Sequence, residues 1–315
     1  MTTGDPVLAI DIGGTKLAAA LVDSGGLLRR RHEVPCQPSR RGEGEALWGT
    51  LVKLVEAVCA DALPGGIGVG CGGPMRWPQG VVSPLNIAAW RDFPLRVRLR
   101  EMFPGAHVRV ANDAIALAVG EHWRGAGVGV RNLMGVVVST GVGGGLVLDG
   151  RVEFGETGNA GHLGHVVVDP DGPECVCGGR GCLEAIARGP AVVQWALDHG
   201  WSTAGEPDGR TLVAAARAGE QIAIEAFARA GTALGTAVAS AAHLLELDVV
   251  AIGGGLANAG DLLLGPARSA FACHARMEFA SRCHIVRAGL DVDAGLIGAA
   301  ALVVCGDQYW PSGAD

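Results

Sequence analysis

The sequence lacks an excess of positive charge, long uncharged apolar runs and a basic, apolar leader. Lys and Arg total 25 against 32 Asp and Glu, so the formal net charge is −7. This balance argues against nucleic-acid binding through a strongly basic surface. No uncharged apolar run reaches the roughly 18 residues of a membrane span, and residues 1–5 do not resemble a signal peptide. We therefore expect a cytoplasmic protein that binds neither nucleic acid nor membranes.

Two common nucleotide-binding motifs are missing from the glycine-rich segments. Neither the P-loop pattern nor a Gly-x-Gly-x-x-Gly that opens a helix occurs there, which disfavours a P-loop enzyme or a dehydrogenase. Glycine is nevertheless abundant, at 51 of 315 residues. Aliphatic runs separate the glycines without a collagen-like period, so we interpret them as turns and close backbone approaches.

The pattern of apolar runs predicts two similar α/β halves. At roughly 100–200 residues per domain the chain suits about two domains. Residues 7–12 and 17–22 predict a hairpin around a turn at 13–16, and residues 133–139 and 146–148 predict another around a glycine-rich turn at 140–145. Further strands are predicted at 67–71, 108–111 and 249–252, and helices at 44–63, 114–124, 222–245 and 294–304.

Three glycine-rich segments are candidate phosphate or nucleotide contacts. They are Asp11–Lys16, Ser139–Gly145 and Gly253–Gly255. Glycine lets backbone N–H groups approach phosphate oxygens without obstruction by a Cβ. Asp11, at a strand end, suits Mg²⁺, directly or through water. An ordinary hairpin remains the alternative for Asp11–Lys16, and each of the other two segments is a weak signal when taken alone.

The pair Asn112-Asp113 stands between a predicted strand and a predicted helix. Asn and Asp favour the helix N-cap, which is the simpler interpretation. In the functional interpretation Asp113 is a general base, kept ionised by the helix N-terminus and able to accept a proton from a hydroxyl nucleophile.

A cluster of metal-ligand residues is the most specific pattern. His165, Cys175, Cys177 and Cys182 offer one imidazole and three thiolates within 18 residues. In a reducing compartment this spacing favours a tetrahedral zinc site over a disulfide framework. Four protein ligands leave no open position, so the zinc is predicted to be structural. Chance clustering of reduced thiols is the alternative.

These motifs together resemble the ROK family (repressors, open reading frames, sugar kinases). The resemblance rests on Asp11–Lys16, Asn112-Asp113, Ser139–Gly145, residues 161–165 and residues 175–184, and it covers essentially the whole chain. It implies the two-domain α/β fold of actin-like ATPases (ribonuclease H-like), with a cleft between the domains. The implied activity is ATP-dependent phosphorylation of the 6-hydroxyl of an aldohexose. The family also suggests a homodimer or homotetramer.

The resemblance implies a role for each motif residue. Asp113 is the expected catalytic base, and Asp11 serves Mg²⁺. The expected sugar-binding residues are Gly73, Asn86, Asn112, Asp113, His162, His165 and Glu184. The expected nucleotide-binding residues are Asp11, Gly13, Gly14, Thr15, Lys16, Thr140, Gly141, Gly254 and Gly255. The predicted domains are residues 1–111 with 294–315, and residues 112–293 with the zinc loop.

One departure from the family concerns the sugar. Family sugar kinases usually read Glu-x-Gly-His where this chain has His162-Leu-Gly-His165. A neutral imidazole offers one acceptor and one donor in place of a carboxylate. We therefore expect a glucose analogue altered at C2 or C3, such as the amino sugar kanosamine, with plain glucokinase as the alternative.

Two non-catalytic alternatives are disfavoured. A ROK repressor carries an N-terminal helix-turn-helix domain of several dozen residues, and the first glycine turn at Asp11 leaves no room for one. A sugar sensor without activity would not need both Asp11 and Asp113.

Overall fold

The computed structural model describes residues 5–36, 40, 42–60 and 62–314. Its strands are β1 (Val7–Ile12), β2 (Lys16–Val22), β3 (Leu28–Pro35), β4 (Gly66–Cys71), β5 (Met75–Arg76), β6 (Val81–Val82), β7 (His107–Asn112), β8 (Leu133–Val138), β9 (Val142–Leu148), β10 (Arg151–Glu153), β11 (Val249–Gly253) and β12 (His284–Arg287). Its helices are α1 (Gly44–Cys59), α2 (Leu95–Met102), α3 (Asp113–Arg124), α4 (Leu183–Ala187), α5 (Gly189–Asp198), α6 (Gly209–Arg217), α7 (Gln221–Leu245), α8 (Asp261–His274), α9 (Glu278–Ser281), α10 (Ala294–Val304) and α11 (Gly306–Tyr309).

Two five-stranded sheets repeat one topology. The first has the order β3-β2-β1-β4-β7, and the second has the order β10-β9-β8-β11-β12. In the first sheet β1 pairs antiparallel with β2 and parallel with β4. In the second, β8 pairs parallel with β11, and β11 pairs parallel with β12. The repeated order confirms the prediction of two similar α/β halves.

The chain divides into two compact units that differ from the predicted domains. Unit 1 contains Met1–Arg131, Gly145–Gly161 and Gly289–Asp315, and unit 2 contains Asn132–Gly144 and His162–Ala288. The predicted boundary at 111/112 falls before the last residue of β7, whereas the whole of β7 and the following helix α3 belong to unit 1. The reason is packing, because α3 lies against α10 and β4.

Strand β1 shows how the two faces of the first sheet are built. Side chains alternate between faces along a strand. Leu8, Ile10 and Ile12 lie in one apolar core together with side chains of α1. Val7 and Ala9 lie in a second core with side chains of α10. The alternation places Asp11 on the α10 face, which carries it toward the first turn of that helix.

Glycines of β4 explain part of the unusual glycine content. Ile67, Val69 and Cys71 face the α1 core. On the opposite face, a Cβ at Gly68 would overlap the backbone of Ala299, and a Cβ at Gly70 would lie 3.0 Å from the Cβ of Ala116. Glycine on this face therefore lets α10 and α3 pack directly on the strand.

The sequence predicted a turn over the whole glycine-rich segment at 140–145. In the structure, most of this segment belongs to β9. The turn contains only residues 139–141, and the next three glycines are paired strand residues. A Cβ at Gly145 would lie 2.5 Å from the carbonyl oxygen of Ala114. Close packing requires glycine there, and a sequence pattern cannot distinguish this requirement from a turn.

Helix α7 is the longest helix and is mostly buried. By length and composition alone it could span a membrane, but 61% of its most apolar window is buried inside the protein. It packs against α8, α4, α5 and α6. The core helix of a globular unit meets the same two criteria, and the packing identifies α7 as such a helix.

Glu121 in α3 is a fully buried carboxylate. It accepts hydrogen bonds from the backbone N–H groups of Ala126 at 2.7 Å, Gly289 at 2.8 Å and Leu290 at 2.9 Å. A buried charge is tolerated only when such partners compensate for its lost hydration. The chain leaves unit 1 after Arg131 and returns to it at Gly289. Glu121 thereby holds together two segments of unit 1, one shortly before the chain leaves and one where it returns.

We expect Glu121→Ala to lower the free energy of unfolding by about 3 kcal/mol or more, because three backbone N–H groups lose their acceptor and the buried side chain leaves a cavity. Urea denaturation measures the change. Glu225→Ala is the control: this exposed carboxylate pairs with Gln221, and its removal costs about 0.5 kcal/mol or less. Equal stability of the two variants would contradict the structural role of Glu121.

Candidate active site and metal centre

Two carboxylates lie at one edge of the first sheet. The parallel register pairs Ile12 with Cys71, and Cys71 with Asn112, so β1, β4 and β7 end together. Gly70 lies between the two acids: its Cβ position is 3.8 Å from Oδ1 of Asp11 and 3.7 Å from Cα of Asp113. The absence of a side chain on Gly70 lets the first turn of α3, which begins at Asp113, lie against β4 close to Asp11.

The environment raises the pKa of both carboxyl groups. Desolvation by burial, followed by the charge of Asp113, raises the pKa of Asp11 to about 6, while Lys16 and Arg31 oppose the shift. Burial also raises the pKa of Asp113, against the lowering effect of the Ala114 N–H, which it accepts at 2.8 Å. Burial therefore outweighs the helix N-terminus, which was the only influence visible in the sequence. A carboxylate with a raised pKa is a better proton acceptor.

Asn112 is the N-cap of α3. Its side-chain oxygen accepts the N–H of Ala114 at 3.0 Å, and the residue is buried. This bond satisfies one of the free N–H groups at the helix start. The simpler of the two sequence interpretations therefore holds for this oxygen.

The first glycine turn joins β1 to β2. The N–H of Gly13 donates to the carbonyl of Lys16 at 3.0 Å. A Cβ at Gly14 would lie 2.8 Å from the Cβ of Asn86, so glycine is needed for space and brings Asn86 against the turn. Thr15 is exposed, and Nζ of Lys16 lies 3.7 Å from Glu33.

Gly73 lies in the loop that follows β4. Its carbonyl accepts the N–H of Leu85 at 3.0 Å, next to Asn86 in the chain. Residues 73 and 86 were predicted together as sugar contacts. This backbone bond keeps the two ends of their loop together within unit 1.

The second and third glycine segments meet in unit 2. Strands β8 and β11 are parallel neighbours, so the residues that follow them share one edge. Gly254 has φ +89°, and a Cβ there would lie 2.5 Å from the carbonyl oxygen of Val138. A Cβ at Gly255 would lie 3.6 Å from Oγ of Ser139. The fold thus brings Gly254 and Gly255 beside the turn that holds Thr140 and Gly141.

The predicted metal ligands converge. The ligand atoms of His165, Cys175, Cys177 and Cys182 all lie within 4.8 Å of one another. Nδ1 of His165 is 3.8 Å from Sγ of Cys175, and Sγ of Cys177 is 3.7 Å from Sγ of Cys182. A tetrahedral ion with metal–sulfur distances of about 2.3 Å has ligand atoms about 3.8 Å apart. The residues therefore fit a four-coordinate zinc ion.

Two further predicted residues flank the metal cluster. The rings of His162 and His165 are 6.0 Å apart with nearly parallel planes. Glu184, in the first turn of α4, accepts the N–H of Val142 at 2.8 Å through Oε2. One oxygen of Glu184 thus binds the first residue of β9, directly after the glycine turn, a contact that the sequence interpretation did not include.

The predicted residues fall into two groups. In unit 1 the fold brings together Asp11, Gly13, Gly14, Thr15, Lys16, Gly73, Asn86, Asn112 and Asp113. In unit 2 it brings together Thr140, Gly141, Gly254, Gly255, His162, His165, Cys175, Cys177, Cys182 and Glu184. Sequence reasoning missed Gly295, whose Cβ position lies 3.0 Å from the carboxylate of Asp11. The only signal in the sequence for this contact is a glycine near the start of the helix predicted at 294–304.

Comparison with solved structures identifies the class of fold. The ROK family glucokinase of Streptomyces griseus, solved with glucose and AMPPNP, superposes with a TM-score of 0.83 at 30% identity, over 94% of this chain and 98% of that chain. Together with the repeated mixed sheets, this match gives the two-domain actin-like ATPase fold, as predicted.

The family follows from the sequence match. The model of the ROK family matches residues 7–305, and the chain belongs to this family. A glucokinase of Thermotoga maritima is 33% identical over 311 residues, which cover 94% of this chain and 96% of the relative. An N-acetylmannosamine kinase of Citrobacter koseri is 37% identical over 309 residues, which cover 96% and 99% of the two chains.

Proposed function

We propose that this protein is an ATP-dependent sugar kinase that phosphorylates the 6-hydroxyl of an aldohexose. The observation that carries the proposal is the pair Asp11 and Asp113 at the common end of β1, β4 and β7, next to the Gly13–Gly14 turn. The similarity to sugar kinases along almost the whole chain supports it.

In the proposed reaction Asp113 accepts the proton of the sugar 6-hydroxyl. The hydroxyl oxygen bonds to the γ-phosphorus of ATP as the bond from that phosphorus to the β–γ bridging oxygen breaks. The products are ADP and the sugar 6-phosphate. Such reactions depend mainly on positioning and on charge stabilisation. The raised pKa of Asp113 suits a group that must accept a proton near neutral pH.

Asp11 is proposed to hold Mg²⁺, which neutralises developing phosphate charge when bound. The fit is chemical: hard cations take carboxylate oxygens, and a divalent ion compensates for the desolvation and the repulsion from Asp113 that together raise the pKa of Asp11. The backbone at Gly13, Gly14, Thr140 and Gly141 is proposed to bind phosphates, with Thr15 and Lys16 beside it. Gly254 and Gly255 are proposed to lie near the nucleoside.

The sugar is proposed to contact Gly73, Asn86, Asn112, Asp113, His162, His165 and Glu184. His165 directs Nδ1 to the thiol cluster, which leaves Nε2 for a sugar hydroxyl. Zinc on His165, Cys175, Cys177 and Cys182 is proposed to fix this loop. With four protein ligands it has no position for substrate.

The natural substrate is proposed to be glucose or an analogue altered at C2 or C3. An altered sugar is proposed because His162 stands where family sugar kinases usually have Glu. Kanosamine is one candidate for this sugar. The 37% identity to the N-acetylmannosamine kinase favours a second candidate, N-acetylmannosamine, which is also altered at C2. Plain glucose remains the alternative, as in the glucokinase relatives.

An ADP-release assay with ATP, Mg²⁺ and a hexose panel tests the proposal. The panel contains glucose, N-acetylmannosamine and kanosamine, with a no-sugar control, and product analysis by NMR locates the phosphate. Sugar-dependent ADP release with phosphate on O6 is expected. Sugar binding without ADP release would support the sensor alternative and overturn the kinase proposal.

We expect His162→Glu to shift preference toward glucose, because a carboxylate accepts hydrogen bonds from two hydroxyls where an imidazole accepts one. The measurement is the ratio of kcat/KM between glucose and each C2- or C3-altered sugar, and the ratio should rise about tenfold or more. His274→Glu, at an exposed position in α8, is the control. Unchanged ratios in His162→Glu would mean that this side chain does not select the sugar.

A further inference from the structure

The glycine turn between β8 and β9 is fastened by residues that follow the zinc ligands. Glu184 lies two residues after Cys182, and its Oε2 accepts the N–H of Val142 at 2.8 Å across 42 residues of chain. At the other end of the turn, the N–H of Gly189 donates to the carbonyl of Ser139 at 2.8 Å. Both ends of the turn are therefore held by the segment that carries α4 and the start of α5.

The segment around His165 packs against the same turn. A Cβ at Gly164 would overlap the carbonyl of Val142, so the loop before His165 lies directly on the start of β9, next to the turn. Val142 itself is buried. The N–H of Leu183 donates to the carbonyl of Val166 at 2.9 Å, which joins this loop to α4. The metal-ligand loop, α4 and the turn form one hydrogen-bonded assembly within unit 2.

From this geometry we propose that Glu184 is a positioning residue for nucleotide binding, because its carboxylate holds Val142, the first residue of β9, and thereby keeps the preceding turn at 139–141 in the shape that receives phosphate. The inference rests on the proposed kinase function and adds a role to the proposed sugar contact of Glu184. The N–H of Val142 points at the carboxylate and is not the phosphate donor. In this proposal the N–H groups of neighbouring turn residues bind the phosphate, and Glu184 fixes the direction in which these groups point.

Three variants separate this role from a role in sugar binding alone. Glu184→Gln keeps an acceptor oxygen at the same reach, whereas Glu184→Asp keeps the charge but is shorter by one carbon–carbon bond, about 1.5 Å. Glu184→Ala removes the acceptor. If the turn depends on the bond, Gln should preserve nucleotide affinity while Asp and Ala weaken it. A role based on charge predicts that Asp is tolerated better than Gln.

The readout is the Kd of the ATP analogue AMPPNP with Mg²⁺, measured by calorimetry without sugar. We expect a value within about threefold of wild type for Glu184→Gln and about tenfold or more above it for Glu184→Asp and Glu184→Ala, because a hydrogen bond to a charged group is lost. Glu278→Ala, an exposed acid of unit 2 paired with Arg282, should leave Kd unchanged. Zinc content should equal wild type in all variants, since Glu184 is not a ligand.

A second measurement covers the case in which Glu184→Ala does not fold. Amide hydrogen exchange of the peptide that contains Val142 should be faster in Glu184→Asp than in Glu184→Gln. Unchanged nucleotide Kd in Glu184→Asp, with equal exchange in both variants, would overturn the proposal. Failure of the wild-type protein to bind AMPPNP would instead overturn the proposed kinase function.

Discussion

Asp113→Asn is expected to reduce kcat by about 10²–10⁴-fold, because the carboxamide keeps the shape of the side chain but cannot accept the hydroxyl proton. Its oxygen can still accept the N–H of Ala114, the bond that Asp113 makes at the start of α3. The fold and the melting temperature should therefore remain close to those of wild type. The measurement is kcat under saturating sugar and ATP, with the sugar that the panel assay selects.

Asp149→Asn is the matched control for this substitution. Asp149 is an exposed acid of unit 1 that pairs with Arg131 at the surface, and its replacement should leave kcat unchanged. Retention by Asp113→Asn of more than about a tenth of wild-type kcat would remove Asp113 as the general base.

Loss of one thiolate is expected to release the zinc that we propose for this cluster. Cys177 is an exposed member of the four-residue cluster, and its thiol accepts the N–H of Gly179 at 3.4 Å, a contact that lowers its pKa. We expect Cys177→Ser to reduce bound zinc from about one to below about 0.2 per chain and to expose residues 165–184 to proteolysis, since binding and local folding are coupled. Metal analysis of the purified variant measures the first effect.

Cys273→Ser provides the matched control, because Cys273 is also exposed but lies in α8, outside the cluster. Its zinc content and protease sensitivity should equal those of wild type. Wild-type protein that is purified without chelators, carries no zinc and is fully active would contradict the proposed structural role of zinc.

Local patterns in the sequence predicted much of the fold and of the metal cluster. The hairpin at 7–22 was predicted from two apolar runs around a glycine turn, and helices such as α3 and α10 from apolar stretches, all of which are patterns within a few residues. His165 and the three cysteines lie within 18 residues, so their convergence needs only one loop. A site whose residues are close together in the sequence can therefore be predicted from the sequence.

Long-range packing was not predictable in the same way. Gly145 belongs to a strand because it lies against Ala114, and residues 113–124 belong to unit 1 because α3 packs on α10. The raised pKa of Asp113 depends on burial, which no neighbouring residue in the sequence encodes. The bond from Val142 to Glu184 spans 42 residues and has no sequence signature.

The contact between β1 and α10 has a consequence for the synthesis of this protein. Val7 and Ala9 share a core with Leu296 and Ala299, so a strand is covered by a helix that follows it far later in the chain. At about 5–20 residues per second, the ribosome needs roughly 15–60 s between them. Unit 2 is complete in the meantime, while the apolar α10 face of β1 stays uncovered. A nascent chain therefore acquires the environment of Asp11 only when Gly295 and its helix emerge.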